Sequence, residues 1–509
     1  MVFMQNNNRI AKNAALLYVR MFLTMFVSIY ASRVILDVLG VSDFGIYNVV
    51  SGVTTIVVFF SGSLSNATQR YLNISLGKDN QTLSNNYFSQ FLLIYLVLAM
   101  LVLGIGEICA SWVVDHLLSI PIARIYAAKC VYHLSLIILC LTLIQIPFQS
   151  AIIAHEKMDV YAYISLLESF ARLGILYVIA KMNGDSLMEY AFLLLAISLL
   201  IFVFNLIYCF VKFTECRFRY YFDFKLAKEM FSFIGYNMFG CFAYSAQMQG
   251  VNVILNIFFG PAINAARAIA MQVGNAVSKF SDNIMIAIKP SIIKLYAKDE
   301  IKEMLDLSIN AARYCTFITM LVLIPVLVCI NSILRLWLNV VPDFTAIFVV
   351  LILIEGIFNM INQPITTLVN ATGRLKQNQF YGRIYTLLVL PLSYIALLIY
   401  KSPVIPIGLC VLASLLYLIN NLFDVKNQLG LSVSYFLSKT IVPCFLYIPL
   451  FGICYMETLI FDNVFICILV VLATDVFIGF LLTYTFLLSD NERWNVRCIL
   501  KRYLPKISK

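Results

Sequence analysis

A chain of 509 residues that is 62% apolar and 12% charged lies far from an ordinary soluble domain, at roughly 45–50% and 25%, and this excludes a soluble enzyme. About 315 apolar residues, at roughly 20 per spanning helix, fill some fourteen spans and leave little for a domain outside the bilayer. The balance of 36 Lys+Arg against 26 Asp+Glu, a net charge of +10, fits an anionic membrane face or substrate; no basic domain with interleaved aromatics stands apart to bind nucleic acid.

Taken in chain order, polar residues 1–8 lead into an apolar segment of about 27 residues, too long for a signal-peptide core, so the first span is expected to remain uncleaved. A window of about twenty residues predicts helices at 12–38, 44–66, 86–110, 121–146, 158–181, 187–211, 231–259, 263–290, 304–330, 343–371, 377–400, 403–424, 433–456 and 464–489. The stretches 44–69, 191–211, 314–334 and 402–423 contain no Asp, Glu, Lys or Arg. The architecture expected is an all-α integral membrane protein of 14 transmembrane helices.

With the N-terminus in the cytoplasm, the loops on that side and the tail hold 23 Lys and Arg, including Arg70, Lys157, Lys289, Lys294, Arg374 and six after Asp490. The opposite loops hold 3, Lys181, Arg335 and Lys401. The positive-inside rule then puts both termini in the cytoplasm. Trp112 and Trp337 fall at outer helix ends and Trp494 at the inner end of the last span, where amphipathic rings prefer to sit. The 13 Cys form no C-x-x-C pair and lie mostly in apolar runs, which indicates neither a disulfide framework nor a thiolate metal site. The longest hydrophilic stretch, about 212–230, cannot hold a nucleotide-binding domain, and no G-x-x-x-x-G-K-S/T occurs.

A shift of 220 residues pairs Gly40 with Gly260, Phe60-Ser61 with Phe280-Ser281, Ala67 with Ala287 and Lys78-Asp79 with Lys298-Asp299. The offset then drifts, pairing Trp112 with Trp337, Pro121 with Pro342, Pro147 with Pro364, Ala154 with Ala371 and Lys157 with Arg374. The expectation is two pseudo-twofold related six-helix lobes, 1–220 and 221–430, with 431–509 adding two helices and a basic tail. Six spans is an even number, so the repeat is parallel, and in such transporters the substrate lies between the lobes near the midplane.

The stretch Ser32 to Asn80, SRVILDVLGVSDFGIYNVVSGVTTIVVFFSGSLSNATQRYLNISLGKDN, with LG, FGIYN and ATQRYL in that order, resembles the opening of the polysaccharide (O-antigen type) flippases of the multidrug/oligosaccharidyl-lipid/polysaccharide (MOP) exporter superfamily. The resemblance in span number, repeat and basic tail covers essentially the whole chain. It implies translocation of an undecaprenyl-pyrophosphate-linked oligosaccharide, an O-antigen, lipopolysaccharide or capsule repeat unit, from the cytoplasmic to the periplasmic leaflet by alternating access. The setting implied is the bacterial inner membrane, with membrane lipids and other polysaccharide-assembly membrane proteins as partners. By resemblance to the lipid II flippase branch, spans 13 and 14 would line the groove for the lipid tail. Two lobes suffice for a monomeric path.

Ten basic residues remain within spans: Arg20, Arg33, Arg124, Lys129, Arg172, Arg267, Lys279, Arg313, Arg383 and Lys439. Each costs roughly 2.5–3.5 kcal/mol at a helix centre on the insertion scale, so cations at true depth need water, a counter-ion or an anionic ligand. Arg313, Arg383 and Lys439 lie near cytoplasmic helix ends and are expected to snorkel. Arg124 and Lys129 open the fourth span, as interface anchors or at a cavity mouth. Arg172 has Glu168 four residues before it, an ion-pair spacing. Arg20 and Lys279 in the inner half, and Arg33 and Arg267 in the outer half, form two tiers suited to a pyrophosphate.

Polar residues at helical spacing continue these tiers: Thr24 and Ser28 after Arg20, Gln249, Asn252 and Asn256 after Ser245, and Gln272 and Asn275 before Lys279. Such rows either face a cavity or bind helices together. Glu107, Glu168, Glu355 and Asp475 are candidates for H+ or Na+ coupling; no other cofactor, metal or catalytic residue is indicated. Pro147 and Pro364, in equivalent places, are either hinges of broken helices or packing kinks.

Two other functions compete. A MATE-like multidrug or cation exporter of the same superfamily would need acidic intramembrane residues, whereas the first span has Arg20 and Arg33 and no acid before Asp37. A membrane polysaccharide polymerase or ligase would carry a large periplasmic loop with clustered Arg and His. Here the longest outer loop is about a dozen residues, and His116, His133 and His155 are scattered.

Overall fold

The computed structural model describes residues 2–112, 121–182, 184–338, 341–461, 463–487 and 493. His116, Trp494 and the basic tail apart from Arg493 lie outside these residues, as do the side chains of Arg33 and Trp112. No strand occurs among the described residues. In order the helices are α1 (Val2–Gly77), α2 (Gln81–Trp112), α3 (Ile125–Ala154), α4 (Met158–Ile179), α5 (Ser186–Lys212), α6 (Phe224–Phe259), α7 (Pro261–Ala297), α8 (Ile301–Val328), α9 (Ile330–Trp337), α10 (Thr345–Thr372), α11 (Gly382–Ile399), α12 (Val404–Leu429), α13 (Val433–Thr440), α14 (Ile448–Ile460) and α15 (Val464–Leu482). Among the described residues, ten helical segments are long and apolar enough to cross a membrane.

Helix ends follow local chemistry. Asp185 caps α5, accepting from the amides of Leu187 (3.1 Å) and Met188 (3.4 Å), and Asn463 caps α15 from Phe465 (3.0 Å) and Ile466 (3.3 Å), each satisfying amides that an N-terminus leaves orphaned. Inside α1 the backbone leaves helical geometry at Gly40, with φ 73° and ψ 165°. Only glycine adopts that conformation without a steric penalty, so one continuous helical segment is divided there.

The spacing seen in the sequence recurs in the backbone. Left-handed φ values occur at Gly40 (73°) and Gly260 (81°), at Asp79 (49°) and Asp299 (59°), and at Glu156 (57°) and Gly373 (76°). These pairs lie 220, 220 and 217 residues apart. By contrast, the broken helices entertained at Pro147 and Pro364 do not occur: α3 and α10 run through both residues. The carbonyl of Pro364 itself accepts from Ser308 Oγ (3.3 Å).

The chain forms two compact units, one of 1–242, 286–304 and 367–380, the other of 243–285, 305–366 and 381–509. The core of the first packs α2, α3 and α5 through Phe88, Phe148 and Leu194, with the Phe88 and Phe148 rings edge to face at 5.3 Å. The core of the second joins α6, α7, α10 and α12 through Val251, Ala266, Phe348 and Cys410. Large apolar side chains such as Met100, Ile108, Phe192, Leu398 and Phe477 are exposed, as lipid-facing surfaces of spanning helices should be.

Candidate functional site

The face of α7 departs from that pattern. Its exposed stripe runs through Ala265, Ala268, Gln272, Asn275, Ala276 and Lys279, and contains no large apolar side chain. Hydrocarbon does not tolerate unsatisfied amides and an ammonium, so this stripe requires water or a polar ligand. On α6, Gln249 and Asn256 are exposed as well, while Asn252 is half-buried beside Gln249 (Nδ2 to Oε1, 3.4 Å).

The cations of the two tiers occupy different environments. Arg20 is half-buried on α1, its guanidinium 4.8 Å from the centroid of the Tyr161 ring, a cation–π contact that offsets part of its desolvation. Thr24, one turn on, returns its hydroxyl to the carbonyl of Met21 (3.1 Å). Arg267 is 4% exposed. Its guanidinium donates to the Asn252 side chain, to the carbonyl of Met248 (3.2 Å) and to Met248 Sδ (3.6 Å), so protein groups take up much of the fork. Arg172 lies on Glu168 at 2.8 Å, as the spacing anticipated. Arg383 lies 4.1 Å from the Tyr417 ring and 5.9 Å from that of Tyr244, and Arg124 joins the carboxylates of Asp43 and Asp185.

The four acids also differ. Glu107 pairs with His133 at 2.8 Å on an exposed face, and Glu168 is held by Arg172. Glu355 is buried and accepts from Ser414 Oγ (3.2 Å). Asp475 on α15 is 0% exposed, and neither carboxyl oxygen has a hydrogen-bond partner among the described residues.

The first unit holds a buried ionic cluster whose basic members entered the sequence reading only in the loop charge count and whose acid, Glu156, did not enter it. Glu156 follows α3 in a left-handed conformation, its side chain 1% exposed, and its Oε1 receives Lys294 Nζ at 3.0 Å and Ser291 Oγ at 3.4 Å. Asn13 Nδ2 donates to its carbonyl (3.2 Å). Nearby in the fold of α1, Arg70 Nε donates to the carbonyl of Asn370 (2.7 Å) and Nη2 to that of Ala371 (3.3 Å), at the C-terminal end of α10, where helix carbonyls lack partners and favour cations. Lys289 donates to Asn66. Together these groups latch the ends of α7 and α10 to α1 and α3. Glu156 occupies a left-handed position 217 residues before that of Gly373, and a strained non-glycine residue points to a local task.

Beside it, a cleft of about 470 Å³ is lined by Asn80, Ser84, His155, Lys157, Lys212 and Glu215 among others. His155 stacks on Phe213 (4.1 Å) and hydrogen bonds to the buried Glu215. Burial opposes ionisation of Glu215, but the hydrogen bond from His155, a backbone amide and the imidazole charge outweigh it and hold the carboxyl below its ordinary range.

No protein-family model and no curated protein matches the sequence. Solved structures do match. A crystal structure of MATE in the bent conformation superposes with a TM-score of 0.72 at 11% identity, covering 84% of this chain and 96% of that one. The fold is that of the MATE transporters. An outward-facing multidrug resistance MATE family transporter of the MOP superfamily gives 0.70 at 10% identity, over 84% and 96%. A MOP superfamily transporter from Pyrococcus furiosus, for which reverse polarity of the binding pocket suggests a different function, gives 0.66 at 10%, over 83% and 96%.

Proposed function

We propose that this protein is a secondary transporter of fourteen spans, in two pseudo-twofold six-helix lobes plus a C-terminal pair, working by alternating access. The backbone recurrence at Gly40 and Gly260, Asp79 and Asp299, and Glu156 and Gly373 supports the duplication. Export of the MATE type is the reading that the structural neighbours support most directly. A multidrug exporter is therefore the first functional class to test.

The cargo is inferred from charge. The single observation that carries it is the exposed stripe of α7, polar and basic with no acid from Ala262 to Lys279, opposite in sign to what an organic cation needs. Arg20 adds a second cation from α1. An anionic amphiphile fits, of which an undecaprenyl-pyrophosphate-linked oligosaccharide is the form implied by the sequence resemblance. The reversed pocket polarity described for the Pyrococcus furiosus protein is a parallel within the fold. The proposed setting is a bacterial inner membrane with both termini cytoplasmic. Glu355 and Asp475, the buried pair among the four candidate acids, are the proposed H+ or Na+ coupling groups; Arg33, Gln249 and Asn252 complete the proposed cargo contacts.

The experiment reconstitutes the protein in liposomes, with labelled lipid-linked oligosaccharide in one set and a fluorescent organic cation in another. Exposure of the oligosaccharide to an impermeant probe, lost in Arg20→Ala/Lys279→Ala at normal protein content, supports flipping. Transport of the cation with no movement of the lipid assigns the chain to cation export instead.

A further inference from the structure

The cleft of about 470 Å³ in the first unit has the size of a small-ligand site, roughly 300–1,000 Å³. It lies where three helix ends meet: the turn from α1 into α2, the turn from α3 into α4, and the C-terminal end of α5. Side chains fix these ends to one another. Asn80 Oδ1 caps α2 at the amide of Leu83 (3.0 Å), Gln81 Nε2 donates to Thr214 Oγ1, and Asn85 Nδ2 donates to the carbonyl of Glu215 (2.9 Å). His155, stacked on Phe213, ties the end of α3 to the same segment through Glu215.

The charges of the cleft decide what it can hold. Lys157 and Lys212 line it, both exposed, and neither ammonium forms an ion pair among the described residues. Of the two acids in its wall, Asp79 is exposed, whereas Glu215 is buried and taken up by His155. Two available ammoniums against one available carboxylate leave one positive charge, to which the N-terminal end of α2 adds. A phosphodiester neutralises that charge. A zwitterionic headgroup does not. Helix α5 gives the reason that the phosphate belongs to a lipid. Leu200, Val203, Phe204, Ile207 and Val211 are between 46% and 73% exposed, at spacings that put them on one helix face, and the stripe ends beside Lys212. Such a face lies against hydrocarbon, so an acyl chain along it carries its phosphate to the helix end where the lysine stands.

We infer that the cleft bounded by Lys157, Lys212 and Asp79 binds the headgroup of an anionic glycerophospholipid, with its phosphodiester on the two lysines and an acyl chain along α5. Asp79 would repel a bare phosphate but accepts hydrogen bonds from headgroup hydroxyls, so a glycerol headgroup completes the match. A soluble phosphate gains nothing from the apolar stripe. This binding needs no transported cargo and stands whichever cargo the protein moves.

The test is native mass spectrometry of the full-length protein released from detergent micelles that contain phosphatidylglycerol, phosphatidylethanolamine and phosphatidylcholine in equal amounts, with identical chains and no isoprenoid lipid. Wild type is expected to retain one phosphatidylglycerol in preference to the other two. Lys157→Gln/Lys212→Gln is expected to weaken that retention about thirtyfold, the equivalent of about 2 kcal/mol, at roughly one per lysine. Lys225→Gln/Lys228→Gln removes the same charge from the start of α6, outside the cleft, and should stay within twofold of wild type. Phosphatidylglycerol should also raise the melting temperature of wild type and not that of the Lys157/Lys212 variant. Retention without preference for phosphatidylglycerol, equal retention by wild type and the Lys157/Lys212 variant, or an equal loss in both double variants overturns the inference. Saturable binding of glycerol phosphate as tight as that of the lipid overturns it as well and makes the cleft a site for a soluble phosphate.

Discussion

Replacing Glu156 with Gln isolates the charge of the latch, because the side chain keeps its shape and the backbone keeps its left-handed φ of 57°. Removing one member of a fully buried ion pair costs roughly 3–5 kcal/mol, because the other charge is stranded. Here Lys294 is 23% exposed while Glu156 is 1% exposed, at 3.0 Å. Lys294 thus regains part of its hydration, and the loss falls to about 2 kcal/mol, in the range of one charge-assisted hydrogen bond. That corresponds to roughly a thirtyfold shift between latched and open forms. Hydrogen exchange on the protein in nanodiscs reads it as a rise of about that size across 150–160 and 288–298, with little change around 185–195. Glu156→Leu combined with Lys294→Met strands no charge and should exchange within a few-fold of wild type. Exchange in Glu156→Gln within twofold of wild type, or a double variant as open as the single one, would refute the latch.

Three further outcomes follow from the same geometry. Arg124→Ala leaves Asp43 and Asp185 facing each other without their shared cation; being partly exposed, the clamp is worth about 1 kcal/mol, read as a lowered melting temperature whose difference shrinks in high salt. Gly40→Ala and Gly260→Ala meet no atom within 4 Å, so their cost is backbone alone, about 1–2 kcal/mol each; a neutral effect in thermal unfolding would show that the left-handed conformation is not required. Glu215 is held below its ordinary value of 4.5, so the folded protein binds fewer protons there than the unfolded chain. Its contribution is complete above that pH and lost as pH falls through the folded value. Opening of the 212–220 loop, followed by exchange corrected for intrinsic rates, should therefore increase below pH 4.5, and Glu215→Gln should flatten the dependence.

The helix order was determined by the chain itself, because apolar length and the exclusion of charge from hydrocarbon are local properties. The predicted segments 158–181, 187–211 and 343–371 lie within a few residues of α4, α5 and α10. The matched positions of Gly40 and Gly260 were equally legible, since both hold a positive φ that only glycine takes freely. The site was legible in part. Gln272, Asn275 and Lys279 were found as a row because helical periodicity puts them on one face. The row could not tell exposure from burial: Lys279 is exposed, whereas Arg267, twelve residues earlier on the same helix, has its fork taken up by Met248 and Asn252. Lys294 and Arg70 read in sequence as loop charges, and Glu156 was not singled out. Only the tertiary structure brought them together, because their attraction depends on distances across 138 residues between Glu156 and Lys294 and 300 between Arg70 and Asn370, and no periodicity within one helix encodes a separation of that kind.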